Sequence, residues 1–379
     1  MIKKYGVSST GLIAPIIREG NCLSEIVTET VLNSGLEIDD RDIVAITESV
    51  VARAQGNYVT IDEVAEEIKK VLDNPKVVIL YRPIYSRNRF AMILKAFARA
   101  VTEKVIITMP EIDEVGNELR NHPFTGLNYD DYYKSIVEAE GKTCFIIKDG
   151  EGRQDLENLS YKFVDCRLHL ADNFDNDCFT LKDFCKDKCE WGLLGSNKAS
   201  EEKLKLFPSK KYAQELVEQV RRNIIGAKGK IVSVMVYGDG CFKDPVGGIW
   251  EFADPCVSPA YTKGLEGTPN ELKLKNLADE KYAHLNGREL SEAIREQVKR
   301  KDNDLKGKMT SQGTTPRRIV DLVGSLADLM SGSGDKATPI VYIKGYFNNY
   351  ATEEVKTDMT IEEKAKIYDK IKYLLSYDD

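Results

Sequence analysis

The sequence predicts a mixed α/β (α+β) fold with two principal parts. Helical and strand-like patterns alternate along the chain, residues 77–108 show a strand–helix–strand succession, and 379 residues suffice for about two domains. Hydrophobic residues make up 42% and charged residues 30%, as in an ordinary globular protein. The net charge of −7 argues against a general nucleic-acid binder. No apolar run approaches the roughly 20 residues of a membrane helix, so no membrane partner is expected.

The first half of the chain carries the clearest local patterns. Residues 43–46 indicate a short strand. Thr60 and Glu63 form a capping box ahead of a helix with an apolar stripe at Val64, Ile68, Val71 and Leu72. The segments that predict strand, helix and strand in turn are 77–81, 90–100 and 105–108. This order predicts parallel pairing of the two strands with a right-handed crossover.

The second half is less regular. Ser209 caps a predicted helix. Further predicted elements are a strand at 231–237, a helix at 290–298, a helix from Pro316 to Met330, a strand at 339–343 and a last helix capped by Thr360. Residues 150–205 hold many Asp, Lys and Cys with weak periodicity, which indicates an insertion. The predicted parts are therefore 1–149, 150–205 and 206–379.

Cysteine and histidine usage limits the chemistry. The chain has eight cysteines and no visible export signal, which predicts reduced thiols in a cytoplasmic protein. Three widely spaced histidines make a multi-histidine metal site hard to build. A Zn²⁺ site remains possible at Cys166, Cys178, Cys185 and Cys189, but their spacing lacks the paired knuckles of strong zinc signatures and favours unlinked thiols.

Three loops suit phosphate or metal binding. Residues 237–248 follow a strong strand and carry Asp239, whose oxygens suit Mg²⁺ or Mn²⁺, and Lys243, which can meet phosphate. Residues 330–336 offer small residues and free amides between a helix and a strand. Residues 110–117 include Asp113 and Asn117. The alternatives are, in turn, a Gly/Asp turn, a glycine C-cap and a helix start.

Two arginines lie between a predicted strand and a predicted helix. Arg87 and Arg89 can bind a carboxylate or phosphate through paired hydrogen bonds. The alternative is a solvated loop.

Six motifs occur in an order that resembles the coenzyme F420-0:L-glutamate ligase (F420 γ-glutamyl ligase) family. Residues 11–20, GLIAPIIREG, resemble the family's opening motif, and residues 42–56, DIVAITESVVARAQG, resemble its second motif. Looser matches follow at 112–117, 231–245, 286–290 and 321–345. The set covers most of residues 10–345 apart from the cysteine-bearing segment.

The resemblance implies an intertwined homodimer of a distinctive two-part α/β fold. It also implies a GTP- and divalent-metal-dependent enzyme that attaches L-glutamate to a carboxylate acceptor. The residues that would contact nucleotide are Leu12, Ile13, Ala14, Pro15, Ser49, Asn117, Met330, Ser331, Gly332, Ser333, Gly334 and Asp335. Asp113, Asp239 and Gly240 would form the metal site.

The chain departs from the family pattern at functional positions. Ser49 stands where the family has a lysine, and Gly240 where it has a threonine next to the metal aspartate. These departures leave two alternatives open: a ligase for a different acceptor, and a non-catalytic nucleotide- and metal-binding protein. The cysteines at 166–189 offer a third alternative, a zinc-stabilised interaction module.

The composition of the candidate site suits a ligase. A carboxylate is a poor electrophile, but its phosphorylation gives an acyl phosphate that an amine can attack. Such a reaction requires mainly positioning and charge neutralisation, for which Lys243, Arg87 and Arg89 are the candidate catalytic residues.

Overall fold

A computed structural model describes most of the chain. The described residues are 6–81, 83–84, 87–112, 118–122, 125–148, 160–166, 178–238, 240–243, 250–253, 258–268, 277–300, 318–332 and 336–348, with side chains left out at 240–243, 250–253 and 299–300. The chain divides into two compact units. The larger comprises Ser9–Gly267 and Arg317–Lys344, and the smaller comprises Met1–Ser8, Thr268–Pro316 and Gly345–Asp379. The predicted boundaries at 149/150 and 205/206 stay predictions.

The described strands and helices alternate along the chain. The strands are β1 (Ser8–Leu12), β2 (Ile43–Thr47), β3 (Tyr58–Thr60), β4 (Val77–Tyr81), β5 (Lys104–Met109), β6 (Thr143–Lys148), β7 (Lys162–Asp165), β8 (Cys178–Thr180), β9 (Ser196–Ser200), β10 (Lys203–Leu206), β11 (Ser233–Tyr237), β12 (Gly240–Lys243), β13 (Trp250–Ala253), β14 (Ala260–Tyr261) and β15 (Ile340–Lys344). The helices are α1 (Leu23–Leu32), α2 (Glu48–Gln55), α3 (Ile61–Val71), α4 (Arg87–Ala100), α5 (Tyr129–Ala139), α6 (Lys210–Lys228), α7 (Gly287–Arg300) and α8 (Ile319–Met330). In the described part of the chain, no helix combines the length and apolar character needed to cross a membrane.

A mixed sheet forms the centre of the larger unit. Its strand order is β1-β15-β2-β11-β14, with β2 parallel to β11 and antiparallel to β15. One face packs against α1 and α6, and α8 packs against β15, β11 and β2. Because most residues of β2 and β11 are fully buried, their sequences are continuous apolar runs rather than alternating ones.

A second, parallel sheet confirms the predicted strand–helix–strand unit. Its order is β6-β5-β4-β7-β8, and every described pair is parallel. Val77 of β4 pairs with Lys104 of β5, and α4 provides the crossover between these strands. The apolar stripes of α3, α4 and α5 form the main core together with this sheet.

A small antiparallel sheet has the order β3-β10-β9. The described part of the segment 150–205 therefore contributes to two sheets: β7 and β8 extend the parallel sheet, while β9 and part of β10 build the small sheet. β12 and β13 form a separate antiparallel hairpin.

Several local predictions are confirmed at residue level. The Thr60 hydroxyl accepts from the Glu63 amide and the Glu63 carboxylate accepts from the Thr60 amide, which is the predicted capping box. The Ser209 hydroxyl caps α6 by accepting from the Tyr212 amide.

Two predicted boundaries need correction. The helix expected from Pro316 begins at Ile319, because Arg318 has an extended backbone and serves as its N-cap; Pro316 itself lies outside the described residues, as does the predicted Thr360 helix. The predicted loop 237–248 contains a strand, because Gly240–Lys243 pair with Trp250–Ala253.

A buried polar network stabilises the end of the mixed sheet where β2 begins. The Tyr342 hydroxyl donates to Oδ2 of Asp42 over 2.6 Å, and the Asp39 amide donates to the same oxygen over 2.9 Å. Nζ of Lys344 lies 2.6 Å from a carboxylate oxygen of Asp39. Burial, followed by the hydrogen bond to Asp42, raises the pKa of Tyr342 above its usual value, so the phenol stays protonated and remains a donor.

Candidate functional site

The candidate site lies where the two central parallel strands end. Thr47 of β2 pairs with Tyr237 of β11, so the residues that follow, Glu48 and Gly238, lie side by side at one edge of the mixed sheet. Helix α2 begins at Glu48. In α/β sheets, ligands bind preferentially outside the carboxyl ends of parallel strands. This edge is therefore the first place to look for a ligand site.

Two segments that the sequence assigns to nucleotide binding meet at the same edge. A β-carbon on Gly11 would lie 2.8 Å from the carbonyl oxygen of Met330 and 3.0 Å from Cβ of Thr338, so only glycine permits this approach. The Ala14 amide donates to the carbonyl of Ala337 over 3.0 Å. Residues 11–15 thus lie against the loop that joins α8 to β15.

The loop after α8 is anchored at both of its ends. The Ser331 amide donates to the carbonyl of Ala327, and Gly332 forms an antiparallel bridge with Thr338. The Thr47 amide donates to the carbonyl of Pro339 over 3.0 Å, which ties the loop to the end of β2. The described members of this loop's predicted nucleotide set, Met330, Ser331 and Gly332, are therefore near the strand ends.

The other predicted nucleotide residues of these segments differ in exposure. Leu12 is buried, whereas Ile13 is 78% exposed and Met330 is 40% exposed. Ala14 and Ser49 are half-buried, and Pro15 is exposed. Exposed apolar side chains beside a glycine-rich edge can contact a flat ligand, which is compatible with nucleotide binding.

A buried charge pair lies directly at the strand ends. Nζ of Lys205, on β10, is 3.2 Å from Oε1 and 3.3 Å from Oε2 of Glu48. Nδ2 of Asn197, the β9 residue paired with Lys205, donates to Oε1 of Glu48 over 3.4 Å. A β-carbon on Gly238 would lie 2.0 Å from Cγ of Glu48. The Glu48 side chain therefore lies flat against the backbone of Gly238.

Sequence reasoning missed the pairing of Glu48 with Lys205 and Asn197. The partners are separated by about 150 positions, and Glu48 begins a helix whereas Asn197 and Lys205 lie on strands. One signal was present: Glu48 follows the apolar run 43–46 after a single threonine, and a charged residue at such a position needs a partner. Nothing in the sequence identifies Lys205 as that partner.

The two predicted arginines lie in the first turn of α4 rather than in a loop. The Arg87 guanidinium is 4.0 Å from the ring centre of Tyr129, a cation–π contact. Nη1 of Arg89 donates to the carbonyl of Ser196 over 2.9 Å, next to Asn197. Arg89 is thus tied to the small sheet beside Glu48, while Arg87 stacks on α5.

The structure gives no side-chain position for the remaining predicted site residues. Asp113, Asn117, Asp239, Ser333, Gly334 and Asp335 lie outside the described residues. Gly240 and Lys243 are described as backbone of β12 only.

The zinc site expected as a possibility at four cysteines is not found. Among the residues that the structure describes, no group of three or more His, Cys, Asp or Glu could hold a metal ion. Cys166, Cys178, Cys185 and Cys189 are free thiols. Burial raises the pKa of Cys185 to about 12 and that of Cys189 to about 11, and it raises the pKa of Cys166 well above its usual value. Cys166, Cys185 and Cys189 belong to the apolar core.

Comparison with known proteins identifies the family of the chain. Residues 11–345, nearly the whole chain, match the family model described as F420-0:Gamma-glutamyl ligase. The chain belongs to the F420-0:γ-glutamyl ligase family. This family comprises enzymes that form an amide bond, and the chain is an enzyme of that type. No curated protein matches the sequence.

Proposed function

We propose that this γ-glutamyl ligase family member uses GTP and a divalent cation to join L-glutamate, through its amino group, to a carboxylate acceptor similar to F420-0. The observation that carries the proposal is the convergence at one sheet edge. Residues 11–15, the start of α2, the turn after β11 and the loop after α8 are contributed by distant parts of the chain and meet there.

The proposed reaction has two steps. An acceptor carboxylate oxygen attacks the γ-phosphorus of GTP, the bond to the β-phosphate oxygen breaks, and GDP leaves. The glutamate amine then attacks the acyl carbon, the C–O bond to phosphate breaks, inorganic phosphate leaves and the amine loses a proton. Neither step needs a covalent enzyme intermediate, so the protein contributes positioning and charge stabilisation.

The nucleotide would lie along residues 11–15 and the loop after α8. Amides and small residues at this edge allow close approach of phosphate groups, and Ile13 and Met330 offer exposed apolar surface to a base. The other residues proposed to contact the nucleotide are Ser49, Asn117, Gly332 and residues 333–335. Arg87, Arg89 and Lys243 are the proposed cations for the transferring phosphoryl group.

The divalent cation would be held by Asp113 and Asp239, with Gly240 beside them. Hard carboxylate oxygens suit Mg²⁺ or Mn²⁺, and such a cation neutralises phosphate charge. Glu48, a described carboxylate at this edge, is paired with Lys205 and is therefore not assigned to the cation. The assembly is proposed to be a homodimer in the cytoplasm.

The test combines binding and turnover. GTP is titrated calorimetrically into the purified protein with and without Mn²⁺, with ATP as the comparison, and phosphate release is then measured with and without glutamate. Metal-dependent binding that favours GTP, together with glutamate-dependent phosphate release from a carboxylate acceptor, supports the proposal. Binding without release would indicate a non-catalytic protein or a different acceptor, and absence of binding to either nucleotide would contradict it.

A matched pair of variants tests the metal residue. Asp239→Asn should abolish metal-dependent phosphate release while the thermal unfolding temperature stays unchanged. Asp73→Asn, at an exposed position with φ of 57° that asparagine tolerates, should behave like the wild type. Full activity of Asp239→Asn would remove Asp239 from the metal site.

A further inference from the structure

We propose that Lys205, together with Asn197, is a positioning residue of the ligase site: it fixes the Glu48 side chain against Gly238 and thereby holds the turn between β11 and β12. The inference rests on the proposed function, because this turn carries Asp239. Lys205 and Asn197 lie in or at the end of the segment 150–205, and none of the motifs shared with the family includes either residue.

The geometry allows Glu48 little freedom. Lys205 contacts both carboxylate oxygens, and Asn197 contacts one of them. The side chains of Lys205 and Glu48 are only 9% and 6% exposed. Along its aliphatic part, Glu48 packs so closely on Gly238 that no space is left for even a methyl group. The turn after β11 is therefore packed against a side chain that is itself held at its charged end.

The small sheet is in turn fixed from a second direction. Ser196, the residue before Asn197, accepts a hydrogen bond from Arg89 at the start of α4, and its own hydroxyl donates to the carbonyl of Leu193. Lys205 and Asn197 are cross-strand partners, so their side chains project from the same face of β9 and β10. Because the small sheet is held in place, Lys205 and Asn197 hold the Glu48 carboxylate in one position.

A purely stabilising role explains the pair poorly. Bringing two charges out of water carries a large desolvation penalty, and apolar side chains of similar size often stabilise a protein equally well or better. The pair lies at the ends of two parallel strands, and Glu48 contacts Gly238, which directly precedes the candidate metal ligand Asp239 in the sequence. This location fits a role in positioning a functional group. Lys205 itself does not contact the reacting atoms in this scheme.

The experiment compares Lys205→Met with Lys205→Arg and with Lys203→Met. Lys203 lies two residues away on the same strand and is exposed, so its replacement controls for the loss of a lysine on β10. Lys205→Met should weaken Mn²⁺ binding in the presence of GTP at least tenfold by calorimetry. It should raise the Mn²⁺ concentration for half-maximal phosphate release by a similar factor, with KM for GTP changed less than twofold. Lys205→Arg should recover most of the loss, and Lys203→Met should match the wild type.

Hydrogen exchange provides a readout without any ligand. In Lys205→Met, amides of peptides that cover residues 238–243 should exchange several-fold faster than in the wild type or in Lys203→Met. If the wild type shows no glutamate-dependent phosphate release, the proposed function fails, while the exchange result still decides whether Lys205 holds the turn. Unchanged exchange and unchanged Mn²⁺ binding in Lys205→Met would overturn the inference.

A second variant covers the case in which Lys205→Met does not fold. Glu48→Gln combined with Lys205→Met removes both charges, so no buried charge is left unpaired and the fold should be retained. This variant should show the same loss of Mn²⁺ binding and faster exchange in residues 238–243. Wild-type binding and exchange in the folded double variant would also overturn the inference.

Discussion

Substitution of Gly238 by alanine tests the packing at the strand ends directly. The added methyl carbon would lie 2.0 Å from Cγ and 2.7 Å from Cβ of Glu48, far inside van der Waals contact. Long side chains usually relieve such a clash by rotating away. Glu48 cannot do so without leaving Lys205, because the carboxylate is held by Lys205 and Asn197.

The two ways of relieving the clash bracket its cost. If Glu48 stays paired and the backbone moves, overpacking costs about 1–3 kcal/mol. If Glu48 swings out, Lys205 is left buried without its carboxylate, and loss of one partner of a buried pair costs about 3–5 kcal/mol. Because the protein adopts the less costly arrangement, Gly238→Ala should lower the free energy of unfolding by about 1–3 kcal/mol.

The assay is urea unfolding followed by circular dichroism, with Gly226→Ala as the matched control. Gly226 lies in α6 with nothing within 4 Å of the added β-carbon, so its replacement should stabilise the helix. The expected gain is about 1 kcal/mol, the usual difference between glycine and alanine in a helix. A Gly238→Ala protein within ~0.5 kcal/mol of the wild type, the usual range for surface substitutions, would refute this account of the contact.

Three further predictions concern other parts of the molecule. Tyr342→Phe removes the hydrogen bond to Asp42 and should lower the free energy of unfolding by about 1.5–3 kcal/mol in the same urea assay, whereas exposed Tyr161→Phe should have no measurable effect. Gly11→Ala should destabilise the protein by about 1–3 kcal/mol and weaken GTP binding in calorimetry, since the methyl group would strike the backbone of Met330; unchanged binding would separate this contact from the nucleotide site. Burial raises the pKa of Cys189 from 9.0 to about 11. The stabilising contribution of the buried, protonated thiol is therefore complete below pH 9 and is lost as the pH rises through 11. Between pH 9 and 11, the free energy of unfolding should therefore decrease less steeply for Cys189→Ala than for the wild type. In a second test, iodoacetamide at pH 8 should label exposed Cys22 before Cys189, and equal labelling would contradict the burial of Cys189.

The sequence predicts much of the local structure because the responsible interactions are local. The Thr60 capping box and the Ser209 cap each involve residues three positions apart, and the apolar run of β4 is explained by burial on both of its faces. The helix predicted from Pro316 fails by three residues because proline at a first helical position is only a preference, and Arg318 provides the actual N-cap.

The site is predictable only in part. Motif order identifies the segments 11–15 and 330–335. In the structure the described residues of these segments lie together. The family membership confirms the resemblance and the class of enzyme. The pairing of Lys205 with Glu48 depends on how the small sheet lies beside the mixed sheet, and no periodicity or spacing encodes such a contact. The roles assigned to Asp113, Asp239 and Lys243 stay predictions.

The strand order of the mixed sheet has a consequence for synthesis of the protein. β15, which enters the sheet between β1 and β2, is the last of its strands along the chain, and the hydrogen bond from Tyr342 to Asp42 joins residues 300 positions apart. The parallel sheet uses only residues 77–180. Since domains form as the chain leaves the ribosome and distant contacts form late, the parallel sheet can assemble well before the mixed sheet. The candidate site is therefore expected to be absent from every nascent chain that has not yet released residue 344.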